Sequence, residues 1–580
     1  MQAEESKILY KRKSIRQSLI VWLLGSLTAV LLCNCGEEEE VPVSSERVET
    51  EGAIVPGEEF DPERLTVGEV ELSASKLEDY ASRAQLYYDR HGGKLEYSVV
   101  MPQIPASDDA YLYLFQEECY EEGTLSGEPV ACRAKRRHWK IRFPYQKGSL
   151  FDQFVPALLI DGEYVPVGEG VYLLNPEELS DKREEYPDVG SKKGLLLDPN
   201  MIKTPELTEL GVKHAIYNIP LSHIMGETTN PFLPTIQYEY EGTTYLFNGA
   251  AINGYDELFV YLEEQGMTTT AVVLNDWNEE HLELIHPEAR NHDSGAYYYM
   301  FNAADAEGVK TLEAVACFLA DRYSGEGHGT IHSWVIANEI NQNKLWNYLD
   351  TVDVDYYAQE FERGMRIFYQ AIKSRYANAR VYFSIDHDWN SNKTANPKYF
   401  NAKDLVRAIN DAALTHGNYD WGIAIHPYPQ PMTRVNYWSQ HYDKTPDAEI
   451  VSIMNLGVLT DFLSQEKYLD TNGEVRSITI TELGFSSKSG EKLQAAAFAY
   501  CYYITEANPY IDAFIMNRQT DAPEEVKQGL AFGIYEYDHT EKYIKEVFRY
   551  IDTDQSEEYT EFMLNILEAD SLEEALSWAQ

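Results

Sequence analysis

The sequence predicts a (β/α)8 barrel, of the TIM-barrel class, preceded by an all-β, sandwich-like accessory domain. Three observations carry this. After residue 194, eight short β-branched runs recur, at 211–223, 268–276, 296–305, 331–341, 380–390, 421–431, 478–485 and 511–521, and eight is the number of strands that closes such a barrel. Before residue 194 the text is strand-like, with alternating apolar residues and Gly- and Pro-rich turns, which fits antiparallel sheets. Finally, two of the runs lead into glutamates, Glu339 and Glu482, at the carboxyl ends of strands, where a parallel barrel keeps its chemistry.

The elements follow in order. With 580 residues, 44% of them hydrophobic and 13% aromatic, the chain can fill more than one core. Residues 1–35 read as a lipoprotein-type signal peptide. Lys7, Lys11, Arg12, Lys13 and Arg16 precede an apolar run from Leu19 to Leu32, too short for an ordinary membrane span. Residues 36–64 read as an acidic flexible tether, 65–193 as the accessory domain and 194–580 as the barrel. In the accessory domain a helix is expected near 77–90. Cys119 and Cys132 flank a Gly-containing turn and are candidates for a disulfide in an oxidising compartment. Cys317 and Cys501 fall on predicted helices as buried small hydrophobes. In the barrel, amphipathic helices are predicted at 309–323, 356–376, 402–415, 458–468 and 492–507. A hairpin at 238–248 is expected to rise over the active face. A doubly wound open sheet would show a Gly-rich phosphate turn after its first strand, and Asn218-Ile219-Pro220 offers none.

The net charge of −47 repels phosphate backbones, so nucleic acid is not an expected partner. The charge fits a neutral substrate, or mere solubility; no cofactor is expected, and the protein is expected to act as a monomer.

Counted along the eight runs, Glu339 ends the fourth strand and Glu482 the seventh, three steps round the ring and so on facing walls of one pocket. Two carboxylates about 5 Å apart can divide the roles of nucleophile and proton donor at a glycosidic bond. Their proton affinities must then differ. Tyr428 and His426 are expected to hydrogen-bond Glu482, with Trp334 or Trp389 as an apolar wall. Other polar strand ends, Asn218, Asn275, Asp276, Asn302, Asp386, His387 and Asn517, singly read more often as structural groups; as a ring they mark a polyhydroxylated ligand. His387, His426 and Asp521 also fall at strand ends as a candidate metal set, but the His-x-His pair such a site usually draws from the first strand is missing, since His214 and His223 stand too far apart.

Asn338-Glu339 at the fourth strand and Glu482 within Thr481-Glu482-Leu483-Gly484 at the seventh resemble the signature of clan A retaining glycoside hydrolases. The resemblance implies Glu339 as acid/base, Glu482 as nucleophile and Asn338 as a donor to the sugar 2-hydroxyl. Two positions depart from it. Ile340 stands where many members carry Pro, and Met516-Asn517-Arg518 stands where many carry a Trp, leaving Trp277, Trp389 or Trp438 as stacking faces and Arg518 as a candidate for an acidic or sulfated sugar. The leader resembles a bacterial lipoprotein signal, which implies acylation at Cys33 or Cys35 and a lipid-anchored protein on the extracellular face of a bacterial membrane; an uncleaved signal anchor and a secreted protein are the alternatives. Leader, β-domain and barrel together resemble a little-characterised family of bacterial lipoproteins of glycoside-hydrolase type. A surface glycan-binding protein without catalysis is the alternative, and a metal-dependent hydrolase on the same barrel a further one.

Overall fold

In the computed structural model two antiparallel sheets precede a closed parallel barrel. The structure describes residues 68–579 apart from 74–76, 78–79, 122, 124, 326 and 392–395. The leader, the tether and both candidate acylation sites, Cys33 and Cys35, lie outside the described residues. Among the described residues no helix is long and apolar enough to cross a membrane.

The accessory domain contains β1 (Ser82–Asp89), β2 (Lys94–Val100), β3 (Tyr111–Glu117), β4 (Ala131–Ala134), β5 (His138–Pro144), β6 (Gln153–Ile160) and β7 (Glu163–Pro166). They form one sheet of order β1-β2-β5 and another of order β4-β3-β6-β7. Alternation decides which faces meet: in β5 every second residue is buried, placing Trp139 against Tyr97 with ring centroids 5.9 Å apart and Phe143 against Phe154 of the other sheet at 5.4 Å. Two expectations change here. The segment 77–90 holds strand β1, because Leu86 to Asp89 pair with Tyr97 to Lys94 of β2, and cross-strand pairing outweighs local helix preference. Cys119 and Cys132 are thiols. Cys132 pairs across the sheet with Tyr113, well short of Cys119 beyond the end of β3, and a disulfide needs far closer Cα atoms.

The barrel is made of β8 (Lys193–Leu196), β9 (His214–Pro220), β12 (Thr268–Leu274), β13 (Ser333–Ile336), β14 (Arg380–Asp386), β15 (Trp421–His426), β16 (Ile478–Leu483) and β17 (Ile511–Met516), with a hairpin of β10 (Ile236–Tyr240) and β11 (Thr243–Phe247) inserted after β9. All pairs in the ring are parallel, and β17 closes it by pairing Met516 with Leu195 of β8. The ring is wound with α1 (Gly249–Glu264), α2 (Ala306–Arg322), α3 (Val354–Lys373), α4 (Ala402–Thr415), α5 (Gly457–Leu463) and α6 (Glu491–Ala507). Side chains such as Ile216, Val272, Val335, Tyr382 and Ile515 fill its interior, as in other packed barrels.

The strands that form the ring differ from the eight runs read in the sequence at two places. Lys193–Leu196 is the first barrel strand; its four residues, buried apart from the last, show no alternation. The run at 296–305 stays out of the ring. Its backbone pairs with rim segments instead: Tyr297 N–H donates to Leu345 O at 2.8 Å, Tyr299 N–H to Asn275 O at 2.8 Å and Met300 N–H to Tyr348 O at 3.0 Å. One strand is gained and one lost before β13, so Glu339 still follows the fourth strand and Glu482 lies on the seventh. The hairpin β10–β11 also lies elsewhere than expected. Tyr238 packs on Phe318 with centroids 5.5 Å apart and donates to Asp321 at 2.6 Å. Those partners are on the C-terminal half of α2, which runs away from the barrel mouth, so the hairpin covers a flank.

The accessory domain joins the barrel through α3. The Arg366 guanidinium lies 4.8 Å from the Tyr172 ring and 4.0 Å from that of Tyr419. It donates to Glu362 at 2.7 Å and to Gly417 O at 2.8 Å. Both side chains of this ion pair are 1% exposed. Arg366→Met should therefore cost about 3–5 kcal/mol in urea unfolding, because it strands a buried carboxylate. Glu362→Gln combined with Arg366→Met should cost less than the single change. A single variant that unfolds at the wild-type midpoint would show that this pair does not hold the junction.

Candidate active site

Glu339 sits in a turn three residues past the end of β13. Ala337 and Glu339 both have positive φ, 64° and 35°, an unfavourable conformation for residues with a Cβ. The neighbouring strands hold it there. Ala337 N–H donates to Val273 O at 3.0 Å and Ile340 N–H to Ser384 O at 2.9 Å, while Glu339 N–H donates to the Ser384 hydroxyl at 2.9 Å. Behind them the Tyr357 hydroxyl, on α3, lies 2.8 Å from Ile340 O and 2.9 Å from Asn347 O. One phenol thus ties the residue after Glu339 to the residue after Trp346.

Glu482 is on β16, where its Oε1 accepts from the Tyr428 hydroxyl at 2.9 Å and from Asn517 Nδ2 at 3.2 Å. Asn517 also donates to Tyr428 at 2.9 Å. This close approach of β16 and β17 needs Gly484, since a Cβ there would lie 2.1 Å from Asn517 O. The Asn517–Arg518 peptide is cis.

His426, at the end of β15, connects the two acids. Its Nδ1 is 2.8 Å from Glu339 Oε1 and 3.8 Å from Glu482 Oε2. The two oxygens cannot be farther apart than these distances laid end to end, which falls well short of a gap of about 9 Å. The other ring nitrogen is 3.1 Å from Thr481 Oγ1 and 3.5 Å from Ser384 Oγ. The Glu339 side chain is 16% exposed and that of Glu482 36%. Burial pushes the Glu339 carboxyl above its ordinary value, against the pull of the hydrogen bond from His426. Burial opposes the charged form of His426, yet Glu482, and after it Glu339, outweigh this and hold the imidazole above its usual range. Tyr428 is driven well up by burial and by the neighbouring Glu482, so it stays a phenol and donates.

These groups open on a cavity of ≈ 230 Å³ lined among others by Asn218, Asn338, Glu339, His426, Glu482, Asn517 and Arg518. Several other residues singled out in the sequence are placed differently. Asn275 donates to Leu284 O and Met300 O, and Asn302 to Glu283 O and Asp305, so both tie loops together. Asp276 receives Ser222. Asp386 receives Asn341 and Gln342, which braces the segment after Glu339. Trp389 is 1% exposed and packs edge-on against Phe462 at 5.1 Å. Trp334 is 2% exposed and belongs to the core outside the ring. Neither tryptophan walls the cavity, nor does Trp277, which packs on Tyr299, nor Trp438, which packs on Tyr437 and Tyr500.

The metal set His387, His426 and Asp521 is not gathered, since His426 bridges the acids and Asp521 pairs with Lys542 at 2.7 Å. His387 instead lies in a group with Asp386 and Asp388, one ligand atom of each within 4.8 Å of the others.

The aromatic wall comes from residues that the sequence reading passed over. Trp346 and Tyr298 line the cavity, and Tyr297 stacks on Trp346 with centroids 4.8 Å apart and planes at 19°. Both tyrosines belong to the run mistaken for a strand, and nothing local in the sequence brings Trp346 to them. Glu525, on α7 (Pro523–Lys527), also lines the cavity and pairs with Arg518 at 3.1 Å.

Among solved structures the chain is similar to a family 39 glycoside hydrolase from the gut symbiont Bacteroides cellulosilyticus WH2, at 13% identity over 82% of this chain and 83% of that one, with TM-score 0.41. It is similar to GH5_18 from Bifidobacterium longum subsp. longum ATCC 55813, at 13% identity, 62% and 78% coverage and TM-score 0.39. It is also similar to the beta-glucosidase from Thermotoga maritima, at 9% identity, 65% and 100% coverage and TM-score 0.40. No curated protein matches the chain. The model of a protein family matches residues 185–575, a span that contains every strand of the barrel, and the chain belongs to that family, the family of unknown function DUF5722.

Proposed function

We propose that this protein is a retaining glycoside hydrolase of the clan A type, cleaving O-glycosidic bonds of an oligo- or polysaccharide by double displacement. The observation that carries the reading is the convergence of Glu339 and Glu482 on one nitrogen of His426, at 2.8 Å and 3.8 Å, in a cavity at the carboxyl ends of the strands. In the first step Glu482 attacks the anomeric carbon, the bond to the leaving oxygen breaks, and Glu339 gives that oxygen its proton. In the second step Glu339, now a carboxylate, takes a proton from water as the water attacks the same carbon and Glu482 departs. Two inversions leave the configuration retained.

The surroundings suit these roles. Glu339, the more enclosed acid, holds its proton above the ordinary carboxylate range. Tyr428 and Asn517 occupy Oε1 of Glu482, and attack falls to Oε2. Asn338 is assigned to the 2-hydroxyl by its position beside Glu339, and Trp346 with Tyr297 and Tyr298 to the apolar face of a sugar. The proposal includes export through residues 1–35, acylation at Cys33 or Cys35, and action as a lipid-anchored monomer outside the cytoplasm.

Aryl glycosides and a polysaccharide panel, read by released reducing ends, test this. Glu339→Ala should lose roughly a hundred- to ten-thousand-fold in rate, Glu482→Ala at least as much, and the first product anomer seen by proton NMR should keep the substrate's configuration. Binding without turnover across the panel would leave a glycan-binding protein, and an inverted first product would move Glu482 from nucleophile to base.

Turnover should fall as pH rises through the elevated pKa of Glu339, since the acid must be protonated. His426→Gln removes the hydrogen bond that lowers this pKa, so the alkaline limb of kcat/KM should move to higher pH; a move to lower pH would contradict the assignment of Glu339 as acid. Dialysis against EDTA should leave turnover unchanged, whereas a loss restored by a divalent cation would favour the metal-dependent hydrolase.

A further inference from the structure

We propose that Glu525 is a specificity-determining residue, holding Arg518 so that the cavity accepts neutral sugars and refuses sugar carboxylates. The inference rests on the carbohydrate reading above and names the substrate class of the same site.

Arg518 is the one permanently cationic side chain among the described residues that line the cavity, and taken alone it would mark a site for an acidic sugar. The structure gives it a partner already. Its Nη1 lies 3.1 Å from Glu525 Oε1, and the two side chains are 29% and 31% exposed, so the pair is only partly open to screening by solvent. Three carboxylates therefore face the ligand space, Glu339, Glu482 and Glu525, against one guanidinium and one imidazole.

A sugar carboxylate placed on Arg518 would compete with Glu525 for the same fork and stand beside it as a like charge. Part of that cost is visible before any ligand enters. Glu525 Oε2 is buried with no hydrogen-bond partner, as is Asn517 Oδ1 on the same wall. An edge whose enclosed oxygens already lack donors has none to spare for a further anion. A neutral sugar adds no charge to this edge, and an acidic one sets its carboxylate against it. Burial holds the Glu525 carboxyl above its ordinary value, with Arg518 pulling it down and Glu482 and Asp521 adding to the rise.

The test uses binding rather than turnover, so it stands apart from the hydrolase reading. Unfolding temperatures of the full protein, Arg518→Gln, Glu525→Ala, Glu525→Gln and Glu525→Ala/Arg518→Gln would be followed against D-glucuronate and D-galacturonate, with D-glucose and D-galactose at matched ionic strength as controls. Wild type should show no stabilisation by either uronate beyond its neutral control. Glu525→Ala should gain about tenfold or more in apparent affinity for at least one uronate, and the double variant should lose that gain. Glu525→Gln, which keeps the side-chain shape without the charge, guards against a packing effect and should share the gain. The proposal is overturned if wild type already binds a uronate in a manner lost in Arg518→Gln, or if neither Glu525 variant gains affinity for either uronate. Failure of the hydrolase reading would show separately, as absent turnover on neutral glycosides while the uronate contrast persists.

Discussion

Everything at the mouth of the barrel depends on His426 standing between two carboxylates. Glu339 and Glu482, brought this close without a cation, would raise one another's proton affinity. The imidazole takes a hydrogen bond to one acid at 2.8 Å and faces the other at 3.8 Å, which lets the pair stay together and makes it asymmetric. Its own placement is secured from behind, by Thr481 and Ser384 at the second ring nitrogen. Ser384 also receives the Glu339 amide. A single hydroxyl on β14 therefore helps to position both the histidine and the acid, and the left-handed turn at Ala337 to Glu339 persists because the two strands flanking β13 over-determine it.

The same logic extends outward through α3. Tyr357, one turn into that helix, joins the backbone after Glu339 to the backbone after Trp346, and Asn347 returns a hydrogen bond to it at 2.7 Å. Further along the helix, Arg366 and Gln370 dock on Tyr172 and Leu173 O. The accessory domain is thus bound to the helix that sets the acid and the aromatic wall. Among the described residues it contributes none to the cavity lining, and α3 is one of its connections to the barrel, beside the contact of Cys119 Sγ with Ala303 O and the pairing of Gly170 O and the Tyr172 amide with His416.

The polar residues at the barrel mouth were legible in the sequence because strand ends are local. A β-branched run that stops at a polar residue shows its direction and its terminus together, so Glu339, Glu482, His426 and Asn517 could be placed without knowing what lay between. Ring closure was less legible. The first strand, Lys193–Leu196, is too short to announce itself, and the tyrosine-rich run at 296–305 has strand composition but spends its hydrogen bonds on the rim. Those two misreadings offset each other, so the ordinal positions of the acids held for a partly wrong reason. The wall was not legible at all. Trp346 reaches Tyr297 and Tyr298 only because Leu345 O and Tyr298 O accept backbone hydrogen bonds across two loops, and no periodicity records that.

The polar ring read as a sugar cradle divides by depth in the barrel, and the division has a physical cause. Asn275, Asn302 and Asp386 are all nearly inaccessible. At that depth a side-chain amide or carboxylate left without a partner costs more than a ligand present part of the time could return. Such groups must be satisfied by the protein itself, and they are, by loop carbonyls and by Asn341 and Gln342. Residues at the cavity wall meet a weaker demand, because solvent or ligand can serve them. Asn218, Asn338 and Arg518 lie there, whereas Asn517, 5% exposed, already spends its amide on Tyr428 and Glu482. Burial, more than residue type, separates the groups that build the mouth of this barrel from those that face what enters it.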